Sequence, residues 1–96
     1  MEKSASETQR EKLVELLREE LPVLRAKRRL SQENVAEAIG ISRQTYSVIE
    51  TGKREMSWTV FLALVAFFQN DAKTKKLLDQ IPDFSDLQFI LNKNDS

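Results

Sequence analysis

The 96-residue chain has 41% hydrophobic residues, 15 basic and 15 acidic side chains, two glycines and two prolines, a balance that suits one compact helical domain rather than a disordered chain. The absence of cysteine and histidine excludes disulfides, thiolate chemistry and the commonest metal ligand and general base. No apolar run approaches the roughly 18 residues of a membrane span and no N-terminal stretch reads as a signal peptide, so a soluble, cytoplasmic protein is expected.

Residues 1–6 are polar and are expected to fray. From 7 to 20, Leu13, Leu16 and Leu17, with Val14 beside them, recur at helical spacing. Pro22 then interrupts, and proline suits a first helical turn better than an interior. The pattern predicts a leading helix ending near Leu21 and a new one over 22–29, with a single kinked helix as the alternative.

Two short amphipathic segments follow, 32–39 and 43–51, meeting at Gly40. Ser31 and Ser42 each precede one of them and read as N-caps. Gly40 falls where the first segment must end in a left-handed conformation. Val35, Ala36, Ile39 and Ile41 form an inner side that Tyr46 and Ile49 continue, and Ala36 is small where the helices cross. Two helices joined by a tight turn, with one polar face left over, make a helix-turn-helix, a unit that usually lays its second helix in the DNA major groove.

Gly52 stops the second of these helices, and Lys53 and Arg54 occupy the loop beyond it. Ser57 is a candidate N-cap for a strongly apolar helix over 58–69, apolar on more than one side and so expected to be deeply buried. A further helix is expected over about 71–80. After Pro82 and Asp83, Phe84, Leu87, Ile90 and Leu91 are spaced as one helical face, although Phe89-Ile90-Leu91 also suits a short strand. The resulting division is an N-terminal amphipathic extension (1–20), a helix-turn-helix domain (21–69) and a C-terminal helical extension (70–96).

The zero net charge is unevenly spread. Residues 21–56 carry seven Lys or Arg against four Glu, net +3, while 1–20 are net −2 and 57–96 net −1. Positive charge therefore collects on the helix-turn-helix, and acidic flanks should keep non-specific DNA binding modest and salt-sensitive.

Residues 21–54 resemble the lambda-repressor/Cro helix-turn-helix superfamily, also called the XRE family. The matching pattern is Leu24-Arg25, Leu30-Ser31-Gln32, Val35-Ala36, Gly40-Ile41-Ser42, Ile49-Glu50 and Gly52-Lys53, and the likeness extends to Phe68. It implies an all-α, lambda-repressor-like DNA-binding bundle, with an extra N-terminal helix and the C-terminal extension outside it. It also implies a structural ion pair between Arg25 and Glu50. Tyr46 departs from the family, which usually has a branched aliphatic there, so its ring needs space and its hydroxyl a partner. Met56-Ser57-Trp58 replaces the more usual Pro-Ser/Thr lead into the following helix.

With Tyr46, Ile49 and Glu50 inward, the opposite face presents Arg43, Gln44, Thr45, Ser47 and Val48 as candidate base-reading residues. Arg43 can donate twice to guanine and Gln44 can pair with adenine, Thr45 and Ser47 can bond a base edge or a phosphate, and Val48 suits a thymine methyl. The resemblance implies that Gln32 clamps a backbone phosphate at a helix N-terminus. Ser42, Thr51, Lys53 and Arg54 are the other candidate phosphate contacts. Lys27, Arg28 and Arg29 are assigned to the helix C-terminal dipole rather than to DNA.

The expected activity is that of a sequence-specific transcriptional regulator, a repressor acting as a homodimer on a palindromic stretch of double-stranded DNA. The alternative is an antitoxin that binds its own promoter and a toxin protein. The acidic stripe of Glu33 and Glu37 is expected to be a solvated surface, with RNA polymerase as its alternative partner. No Gly-rich phosphate loop or metal-spaced carboxylate cluster is present, so no enzyme, catalytic residue, metal or cofactor is expected. The C-terminal face is assigned to dimerisation, with closure of the bundle as its alternative.

Overall fold

Leucines at 13, 17, 21 and 24 form one stripe at helical spacing, and in the computed structural model all four are fully buried. The model describes residues 5–81 and Phe84. Its five helices are α1 (Ala5–Lys27), α2 (Gln32–Ile39), α3 (Arg43–Glu50), α4 (Trp58–Gln69) and α5 (Ala72–Gln80), with no strand among the described residues.

The expected break at Pro22 does not occur: α1 runs through it as one helix of 23 residues. An interior proline costs about 3 kcal/mol. Burying a leucine contributes about 1.5–3 kcal/mol, and here Leu21 and Leu24 are buried on either side of the proline. Continuity of the stripe thus outweighs the lost hydrogen bond. Pro22 itself is exposed, so water can satisfy the carbonyl that the missing N–H leaves.

α1 ends two residues earlier than expected. Arg29 takes the left-handed conformation (φ 55°) in place of the usual glycine. Its N–H donates to the Ala26 carbonyl at 3.1 Å and that of Leu30 to the Arg25 carbonyl at 2.9 Å, the two bonds of a Schellman closure. The chain is thereby turned toward α2.

α4 fills the middle of the bundle, with Phe61, Leu64, Val65 and Phe68 buried. Ser57 caps it, accepting from the Val60 N–H at 3.1 Å. Buried Met56 and Phe61 stand at the two positions of a hydrophobic staple. Asp71 caps α5, and the fully buried Thr74 donates its hydroxyl to the Phe68 carbonyl at 2.5 Å, tying α5 to the end of α4. α1 packs against α3, α4 and α5, and α2 packs against α3 and α4. Phe84 is buried, its ring tilted on Phe61 with centroids 6.0 Å apart, so the first residue of the expected C-terminal face closes over α4. Leu87, Ile90 and Leu91 lie outside the described residues.

Candidate nucleic-acid interface

The helix-turn-helix is set by three local devices. Ser31 accepts from the Asn34 N–H at 3.0 Å while its own N–H donates to Asn34 Oδ1 at 2.9 Å, a reciprocal capping box in which asparagine replaces the usual acid or glutamine. Gly40 is left-handed at φ 82°, and the Ile41 N–H reaches back to the Ala36 carbonyl at 3.0 Å. Ser42 Oγ accepts from the Thr45 N–H at 3.0 Å and donates to Thr45 Oγ1 at 2.8 Å. Val35 and Ala36 are buried beneath this turn, and Ile39 and Ile41 are half-buried.

The inner side of α3 is anchored by one carboxylate. Glu50 Oε1 accepts from Arg25 Nε at 2.8 Å and from the Tyr46 hydroxyl at 2.7 Å. Its Oε2 accepts from Arg25 Nη2 at 2.9 Å and from Gln32 Nε2 at 2.8 Å. The fork of Arg25 therefore grips both oxygens, and α1, the start of α2 and α3 converge on a single buried group. Arg25 also donates Nη1 to the Leu30 carbonyl at 3.1 Å. The tyrosine that departs from the family pattern finds both space and partner: its ring is fully buried and its hydroxyl is spent on Glu50.

Burial pushes the Glu50 pKa up, but hydrogen bonds from Arg25, Tyr46 and Gln32 outweigh it and hold the carboxyl below its ordinary value. The stability this depressed group contributes is present above the ordinary glutamate pKa of about 4.3 and is lost as pH falls through the lower folded value. Tyr46 acts at the other end. Burial first, then its bond to Glu50, raises its pKa. Its contribution is present below about 10 and drains away as pH rises beyond that. Thermal melts across this range should show a plateau with two falling edges. Glu50→Gln should weaken the acid edge and Tyr46→Phe the alkaline one; an alkaline edge unchanged by Tyr46→Phe removes that hydroxyl from the account.

On the outer side of α3, Arg43 and Gln44 are exposed and Thr45, Ser47 and Val48 are half-exposed. These five residues thus share the face left over by Tyr46, Ile49 and Glu50. The phosphate candidates are more varied. Lys53 and Arg54 are exposed in the loop after α3, which the Arg54 N–H fastens to the Val48 carbonyl at 3.1 Å. The Thr51 hydroxyl already donates to the Ser47 carbonyl at 3.0 Å, so it must turn before it can donate to a phosphate. Ser42 likewise serves the helix cap. Gln32 has one amide N–H committed to Glu50, which leaves the other available. Glu33 and Glu37 are exposed.

Three features were not anticipated from sequence. Gln32 joins the Glu50 cluster across 18 residues, and nothing in its local pattern signals that. The Tyr46–Glu50 bond spans four residues within one helix, and that spacing could have suggested it. Arg18, paired with Glu15, lies against Gly52, where an added Cβ would sit 3.3 Å from its Nη1. Gly52 is left-handed at φ 81°, so this position favours glycine both for its backbone and for the close guanidinium.

An all-helical bundle presenting a capped helix–turn–helix with a polar outer face defines a DNA-binding module. A family model described as a helix-turn-helix domain matches residues 16–74, well over half of the chain, and the protein belongs to that family. Searches of the curated proteins and of the solved structures find no match. No group of three or more carboxylates that could hold a metal ion is found among the described residues. No helix among them is long and apolar enough to cross a membrane.

Proposed function

We infer that the protein is a sequence-specific transcriptional regulator, a repressor, that binds a palindromic operator as a homodimer and reads it with α3. The observation that carries this reading is the one-sided anchoring of α3. Its inner residues are locked through Glu50 to two other helices, while Arg43, Gln44, Thr45, Ser47 and Val48 remain accessible along the outer face. A helix held this way presents side chains in a fixed register, which base reading demands, since each bidentate contact is worth about 1–3 kcal/mol only when aligned. Lys53 and Arg54 supply charge beside that face, and the second amide N–H of Gln32 supplies a donor at the start of α2. One such unit buries little surface, so two copies on half-sites about 34 Å apart are the arrangement that gives tight specific binding.

Selection of bound sequences from random duplex DNA tests the proposal. The expected product is a palindrome with half-sites about one helical turn apart. On the selected site, Arg43→Ala should lose about 1–3 kcal/mol of discrimination at one base position. Lys53→Ala should weaken all sequences alike and lower the salt slope by about 2, one contact in each protomer. Selection without enrichment, or operator preference intact in Arg43→Ala, rejects the assignment of α3 as the reading helix.

A further inference from the structure

A second concentration of positive charge lies away from α3. The end of α1 and the start of α5 enclose an open concavity of about 620 Å³ lined by Lys27, Arg28, Arg29, Leu30, Asp71 and Lys73. Four cations thus face one carboxylate, and that carboxylate is engaged. Asp71 Oδ1 accepts from the Lys73 N–H at 2.8 Å as the helix cap, and its Oδ2 lies 3.8 Å from Arg28 Nε.

The four cations divide into two kinds. Arg28 is a brace: its Nη1 donates to the Phe67 carbonyl at 3.1 Å and its guanidinium lies 4.4 Å over the Phe67 ring. Lys27, Arg29 and Lys73 are exposed, and among the described residues none of them has an acidic partner within 4.0 Å. Nor are their side chains needed to close α1, because the Arg25 and Ala26 carbonyls already accept backbone N–H groups. Three unpaired cations around a concavity form a site for a polyanion, with phosphate oxygens as the matching chemistry.

The position of the concavity identifies which phosphates. Its rim runs directly into α2. Arg29 and Gln32 are three residues apart, a reach of at most about 11 Å, while each DNA strand advances one charge per about 3.4 Å. Arg25 fixes the register between them, since it bonds both the Leu30 carbonyl on the rim and Glu50 at the end of α3. We propose that Lys27, Arg29 and Lys73 grip the DNA backbone flanking the half-site, extending the footprint beyond the bases that α3 reads. The proposal rests on the operator-binding reading above.

The test uses the full chain with Lys27→Gln, Arg29→Gly and Lys73→Gln combined. All three positions are exposed, and glycine suits the left-handed backbone at 29, so the thermal melt should not fall. Arg28 is kept because of its packing role. Affinity is measured on the selected operator in two lengths, one ending at the half-sites and one extended by about 10 bp, roughly one helical turn, on each side. The expected result on the longer duplex is about a tenfold loss, with a salt slope smaller by about 5, because each lost phosphate contact removes about 0.9 and the three substitutions act in both protomers. The short duplex should bind wild type and variant alike, and base preference should be unchanged on both. An equal loss on the two lengths, or no loss on the longer one, overturns the proposal. Wild-type protein that selects neither duplex rejects the operator reading itself, a result distinct from both.

Discussion

Glu50→Ala is expected to destabilise the fold by about 3 kcal/mol, at the lower end of the range for removing one partner of a buried ion pair. The lower end applies because the Arg25 side chain keeps 20% of its surface exposed, against 6% for Glu50, so water can partly receive the stranded guanidinium. Three donors lose their acceptor at once: Arg25, Gln32 and the buried Tyr46 hydroxyl. An unsatisfied buried donor costs about 1–3 kcal/mol; of these, only the tyrosine is fully enclosed. For a domain of this size the melting temperature should fall by on the order of 15 °C. Glu50→Gln should lose less, since it preserves the shape and one carbonyl acceptor. A Glu50→Ala melt within about 2 °C of wild type would contradict the account, because it corresponds to less than about 0.5 kcal/mol.

The same substitution has a functional consequence separable from stability. α3 has only eight residues, too short to hold its own geometry in isolation. Its orientation therefore comes from what its inner side touches. Losing Glu50 frees the end of the helix, and base discrimination should decline at temperatures where the domain is still folded. Arg25→Lys should show the same pattern more mildly, because an ammonium cannot grip both carboxylate oxygens in the way the guanidinium fork does.

The turn at Gly40, both serine caps and the bounds of α2 and α4 were readable from residue type and spacing alone. Each rests on short-range chemistry: an N-cap oxygen three residues before its donor, or a glycine at a left-handed position. The continuity of α1 was not readable, because the local rule for Pro22 points to a boundary. What overrides it is the stripe Leu13, Leu17, Leu21 and Leu24, whose common burial becomes apparent only once α3, α4 and α5 stand around it. The partners of Gln32 and Arg28 lie 18 and 39 residues away, beyond any periodicity argument. The outer face of α3 was legible for the opposite reason: it is what remains when the inward residues are removed from an eight-residue helix.

Leu17→Ala is expected to cost about 2–5 kcal/mol, the range for truncating a fully buried leucine and leaving a cavity. The position tests whether the first half of α1 is an appendage or part of the bundle. Leu13 and Leu17 precede the basic helix-turn-helix segment, yet both are fully buried in the same cluster as Tyr46, Ile49 and Phe61. An appendage would tolerate the change with a loss near zero. Leu16→Ala, one position off the stripe and only half-buried, should cost clearly less than Leu17→Ala. Val23→Ser, at 49% exposure, should stay within about 0.5 kcal/mol, as surface changes do. That ordering of losses, with the lowest urea midpoint for Leu17→Ala, then Leu16→Ala, then Val23→Ser, follows from α1 being one continuous helix. A helix broken at Pro22 would let residues before it separate without disturbing α3. With α1 unbroken, Leu17→Ala should also loosen the end that carries Arg25, and with it the anchor of α3. Equal midpoints for Leu17→Ala and Val23→Ser would place the first half of α1 outside the cooperative core.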